Sequence, residues 1–117
     1  MHNFKKLNIW EAGIELVKDS YRLTKTFPDF EKFGLVTQMN RCAVSIPSNI
    51  AEGSSKTSDK HFNKFLEYSL GSAFEWETQL IVALNENYVS EEKFKELENK
   101  IIQIQKMISR FQSRLKL

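Results

Sequence analysis

Apolar residues recur at intervals of three and four along nearly the whole chain, and no stretch alternates with the two-residue period of a strand. The cleanest repeat is Phe94, Leu97, Ile101, Ile104, Ile108, Phe111 and Leu115, the seam of a helix in a left-handed bundle. Ser90 stands before it as a cap, with Glu91 and Glu92 at the positive end of the helix dipole. Further upstream, Phe62, Phe65/Leu66, Ser69, Ala73, Trp76, Leu80 and Ala83/Leu84 mark a third helix, capped by Ser58 or Thr57. Leu35, Met39, Cys42, Ile46 and Ile50 mark a second, from about Leu35 to Glu52, with Gly53 expected just past its end. The first helix starts at Asn8, where Glu11 three residues on fits a capping box, and ends before Pro28. It offers two stripes: Trp10, Ile14, Val17, Tyr21 and Thr24, or Ile9, Ala12, Leu16 and Leu23.

Four long helical segments with short connections predict an all-α fold, an antiparallel up-down-up-down four-helix bundle forming one domain over residues 1–117. Pro47 falls inside the second helix, where a proline costs roughly 3 kcal/mol. The apolar spacing continues across it, from Ile46 to Ile50, so a bent helix that runs through the proline is expected. The small cluster Ser69, Gly71, Ser72 and Ala73 predicts a close helix–helix contact, because a helical glycine costs about 1 kcal/mol. Ile9/Leu16/Leu23, Phe74/Ile81 and Ile102 are more apolar surface than one core can hide, which predicts self-association.

Composition adds little to this picture; charge placement adds more. The net charge of +2 is no argument for nucleic acid by itself. However, residues 57–98 hold four basic and nine acidic residues, and residues 99–117 hold five basic and no acidic ones. Matching of the helix dipole explains cations in the last turn only. Lys106, Arg110 and Arg114, flanked by Lys100 and followed by Lys116, form one basic row on the fourth helix, read either as a solvated face or as a phosphate-contacting RNA surface.

Nothing in the chain resembles an active site. Glu-x-x-His motifs for a di-metal bundle are absent, since the only histidines are His2 and His61 and Ser58 stands three residues before the latter. One cysteine cannot supply a zinc site or a disulfide, and Cys42, among apolar helix positions, is expected to be a buried, inert thiol. Glu75 and Glu77, two apart on a helix, do not face one another. The four glycines, at 13, 34, 53 and 71, form no phosphate loop. No metal, cofactor or catalytic residue is expected, and with no membrane-length apolar run or secretory signal the expected location is the cytoplasm.

The segment "SIPSNIAEG", preceded by "FPDFEKFGLVTQMNRCAV" and followed by "FNKFLEYSLGSAFEWETQL", resembles the four-helix-bundle family of 23S rRNA intervening-sequence proteins, over about Phe4 to Tyr88. Relatives include the accessory protein of diversity-generating retroelements. The resemblance implies a homopentamer, with structured RNA and a reverse transcriptase or other protein as partners, and it tips the basic row toward RNA. The motif also contains a polar row, Arg41, Ser45, Pro47, Ser48, Asn49 and Glu52. Its favoured role is architectural, with Ser48 or Asn49 serving the carbonyl of Ala43 that Pro47 orphans; the alternative is a small-ligand or RNA site at a subunit junction. The competing function for the whole chain is a structural or protein-binding adaptor with no nucleic-acid role.

Overall fold

The computed structural model describes residues 2–117, and helix is the only regular structure among them. The helices are α1 (Asn8–Thr24), α2 (Leu35–Ser54), α3 (Asp59–Asn85) and α4 (Glu91–Ser113), with 3-10 turns at Phe4–Lys6 and Asp29–Glu31. The 27 residues of α3 rise to about 40 Å. That nearly equals the 44 Å long axis of the protein, so one helix runs its full length. Each helix packs on its neighbours in chain order, and α4 closes on α1. The α2–α3 seam is the most extensive and the α1–α4 seam the least.

The core is built from the anticipated stripes of α2, α3 and α4. Met39, Ile46, Ile50, Leu66, Trp76, Leu80, Leu97, Ile101 and Ile108 are fully enclosed, each such side chain contributing roughly 1.5–3 kcal/mol of apolar burial. On α1 the structure chooses the other stripe. Ile9, Leu16 and Leu23 are buried, whereas Trp10, Ile14 and Val17 are half-buried and Tyr21 is exposed. The choice follows from two small residues on the buried side. Gly13 lets α1 approach Pro47 so closely that an added Cβ would lie 3.2 Å from the proline ring. Ser20 accepts a 3.0 Å hydrogen bond from the Trp76 indole and donates to Asn40 Oδ1 at 2.9 Å. Asn40 in turn donates to Thr24 Oγ1 at 3.1 Å, so α1, α2 and α3 share one satisfied polar chain. Ile9, Leu16 and Leu23 are therefore core, not surplus surface. Ile102 is likewise packed against the core, which leaves Phe74 and Ile81 as the exposed part of the expected excess.

The helix ends show where local chemistry sufficed. Ser58 Oγ accepts from the His61 amide and Ser90 Oγ from the Lys93 amide, both as N-caps. Asn8 is not a cap. It is already helical, because the turn at Phe4–Lys6 feeds straight into α1 and the Leu7 carbonyl accepts from Trp10 and Glu11. Gly53 is not the residue past the end of α2 either; the helix continues through Ser54. The left-handed position belongs to Asn87 (φ 63°), after α3, where the Tyr88 amide bonds the Ala83 carbonyl and closes the helix.

Gly53 and Gly71 have opposite surroundings, and this sets a testable pair. A Cβ on Gly53 would lie 2.8 Å from Phe62 Cδ1 and from Phe65 Cβ, so this glycine holds α2 against the start of α3. A Cβ on Gly71 would meet nothing within 4 Å, so the close contact expected there is made by Ser69 and Ser72 without it. Gly53→Ala should destabilise by roughly 1–3 kcal/mol through overpacking. Gly71→Ala should stabilise by roughly 1 kcal/mol through helix propensity. Urea denaturation of both variants checks the signs; a Gly53→Ala protein as stable as the parent would show that α2 and α3 separate there at no cost.

Candidate nucleic-acid interface

Two basic residues at the end of α4, one in its last turn and one at its C-cap, end up in a place the helix alone does not define. Arg110 and Arg114 line a cavity of about 380 Å³ between the last turns of α4 and the start of α1, with Lys6 on the opposite wall. Leu7, Ile9, Met107 and Phe111 form its apolar sides. Lys6, Arg110 and Arg114 are exposed, and among the described residues none of the three has a carboxylate within ion-pair distance. The first turn of α1 opens on the same cavity, with Leu7 at the cap position and no side chain on its amides, so the positive end of that helix adds to the field.

The other members of the row separate. Lys106 is exposed on the outward side of α4 and does not line the cavity. Lys100 is held by Asp19 of α1 at 3.1 Å. Lys116 lies past the end of α4, where its backbone amide donates to Asp59 Oδ2 at 3.0 Å. Lys6 had no signal in the sequence, because it sits about a hundred residues from its partners and only the α1–α4 packing brings it to them.

The row on α2 divides by depth. Pro47 is buried against Gly13. Asn49 Nδ2 donates to the Ser45 carbonyl and to Ser45 Oγ, both at 2.9 Å. Ser72 Oγ donates to Ser45 Oγ, and Ser69 Oγ donates to the Ile46 carbonyl, again both at 2.9 Å. Ser69 and Ser72 thus tie α3 to α2 around the proline, with Asn49 bracing Ser45 within α2. The detail differs from expectation: the carbonyls served are those of Ser45 and Ile46, and among the described residues no side chain donates to Ala43. Arg41, Ser48 and Glu52 face outward. Arg41 and Val44 share a shallow recess with Tyr21 of α1.

Cys42 is partly buried, and its thiol donates to Glu75 Oε2 at 3.3 Å. Burial, followed by that carboxylate, pushes its pKa up to about 11, so it stays a protonated thiol near neutral pH and is no nucleophile. Among the described residues no cluster of His, Cys, Asp and Glu could hold a metal ion. No helix among them is long and apolar enough to cross a membrane.

A family model described as 23S rRNA-intervening sequence protein matches residues 5–110. A crystal structure of a protein with unknown function, from the S23 ribosomal protein family of Bacteroides thetaiotaomicron, superposes with a TM-score of 0.82 at 24% identity. The alignment covers 89% of this chain and 97% of that one, and at this identity the likeness shows the fold. No curated protein matches the chain.

Proposed function

Because the chain belongs to the 23S rRNA-intervening sequence protein family, we propose that it acts without catalysis, as a homo-oligomeric bundle in the cytoplasm that binds structured RNA or a ribonucleoprotein partner. The observation that carries this is the cluster of Lys6, Arg110 and Arg114, with Lys106 nearby on the outward side of α4, exposed and unneutralised by carboxylates. A solvated surface normally interleaves both signs; four cations left together retain their field for an anion. Binding through such a cluster reads charge and shape, with weak sequence preference.

The same proposal takes the chain as up-down-up-down, with Pro47 inside and bending the second helix. Contacts that climb one helix while descending the next support that course: Ser20 with Asn40 against Gly13 with Pro47, Ser45 with Ser72 against Gly53 with Phe62, and Glu77 with Gln105 against Asn63 with Gln112. Self-association is supported by exposed Phe74, Ile81, Val82 and Tyr68 on α3 and Val44 on α2. A ring of five and a reverse transcriptase as partner belong to the proposal through family resemblance. An adaptor that binds only protein is the competing function, favoured by the same apolar side chains.

Affinity for a structured RNA measured against salt separates the two. Each phosphate contact contributes roughly 0.7–0.9 to the slope of log affinity on log salt. Changing Lys106, Arg110 and Arg114 together to Gln should flatten that slope and weaken binding to all structured RNAs alike, with the melting temperature unchanged. A parent that binds no RNA at low salt leaves the adaptor; a variant that melts and binds like the parent moves the surface away from α4.

A further inference from the structure

We infer that the Lys6–Arg110–Arg114 cavity is a receptor for a terminal phosphate of RNA, a phosphomonoester at a chain end. This rests on the RNA-binding reading above and specifies which phosphate enters. The first reason is shape. The α1–α4 seam is closed at this end by the N-terminal arm, which crosses the bundle: the His2 amide donates to the Ser54 carbonyl at 3.1 Å, and the His2 ring lies 5.0 Å from that of Phe62 and 6.1 Å from that of Phe111. A phosphodiester has a nucleoside on each side and suits a groove open at both ends; a recess walled on one side by Lys6 and Leu7 of the arm suits a chain end.

The second reason is charge along the seam. Beyond Met107 the seam widens into a groove of about 540 Å³ whose rim carries Glu15 and Asp19, Asp19 being paired with Lys100. Glu15 is likewise paired, with Lys18 at 3.2 Å, so a backbone continuing past the cavity in that direction would find no free cation among the described residues for its next phosphates. Along this seam the unpaired cations are therefore gathered at one position, the cavity, while Lys106 on the outward side of α4 adds general attraction for RNA.

The third reason is the number of charges. Three cations without a carboxylate partner exceed what one diester oxyanion needs. A phosphomonoester carries about −1.5 to −2 near pH 7, and its second proton leaves at about pH 6. Its three free oxygens offer one acceptor to each of Lys6, Arg110 and Arg114, and arginine pairs with such a group in a bidentate way.

The test uses the full chain and one RNA hairpin prepared with a 5′-phosphate, with a 3′-phosphate and with hydroxyls at both ends, each carrying an internal fluorophore for anisotropy. One of the phosphorylated forms should bind at least about tenfold tighter than the hydroxyl form, the size of one added charge-assisted hydrogen bond. That preference should shrink as pH falls through about 6, when the phosphate loses its second charge. Lys6→Gln with Arg110→Gln should abolish the preference, whereas Lys106→Gln, outside the cavity, should weaken all three RNAs in the same ratio. Equal binding of the three RNAs, with a normal salt slope, would overturn end recognition and leave the RNA reading intact. No binding of any of them at low salt would overturn both. Inorganic phosphate that displaces the phosphorylated hairpin at a concentration equal to the hairpin's own dissociation constant would show that the ligand is free phosphate, not an RNA end.

Discussion

Ile108→Asp should leave the chain unfolded at room temperature. Ile108 is fully enclosed in the seam of α4. A carboxylate there has no cationic partner, and an unpaired buried charge belongs to the mutational class that costs more than about 4 kcal/mol. Whole-domain stability is only about 5–15 kcal/mol. The introduced carboxyl can escape part of the cost by staying protonated, so its folded-state pKa is raised above the usual value of about 3.9. The folded state then binds more protons than the unfolded one, so stability falls as pH rises from about 4 toward neutrality. Far-UV circular dichroism at pH 7 and at pH 4.5 should show the loss and a partial recovery. Ile108→Val, which removes one methylene, should cost only about 0.5–1.5 kcal/mol and serves as the control. A parent-like melt for Ile108→Asp would mean that α4 buries a different face.

The second large effect concerns assembly. In light scattering at micromolar concentration, the parent should have a mass that is a multiple of 13.7 kDa, five times that value if the ring proposed from the family holds. Phe74 is 53% exposed and Val44 is 40% exposed, on the outward sides of α3 and α2. Phe74→Glu together with Val44→Asp should yield monomer with unchanged helix content. Truncating a hot-spot residue at the centre of an interface costs about 2 kcal/mol or more, roughly thirtyfold in Kd, and a carboxylate in its place adds desolvation to that loss. The substituted positions face solvent in the single chain, so its folding should be spared. A parent of 13.7 kDa would remove self-association from the proposal, and a dimer or tetramer would keep the apolar argument while removing the fivefold ring.

The sequence by itself determined the helices. Periodicity placed four of them, and Ser58 and Ser90 set the starts of α3 and α4 through hydrogen bonds to amides three residues on. These are local facts: a 3.6-residue repeat and a cap need no distant partner. The seam of α4 was legible for the same reason, because Leu97, Ile101, Ile104 and Ile108 are the only run on that helix that can turn inward together.

Tertiary structure decided what depends on two helices at once. Both stripes of α1 had helical spacing, and the choice fell to Ile9, Leu16 and Leu23 because Gly13 and Ser20 fit against Pro47 and Trp76. Gly53 and Gly71 are alike in a propensity scale; only the position of Phe62 and Phe65 makes one indispensable to packing and leaves the other open to solvent. The basic row was visible on α4, but its division was not. Lys100 went to Asp19, Lys106 stayed outward, and Arg110 and Arg114 met Lys6, a residue from the far end of the chain. Coulomb fields depend on distance in space, and a linear sequence records distance only within a few residues along one helix.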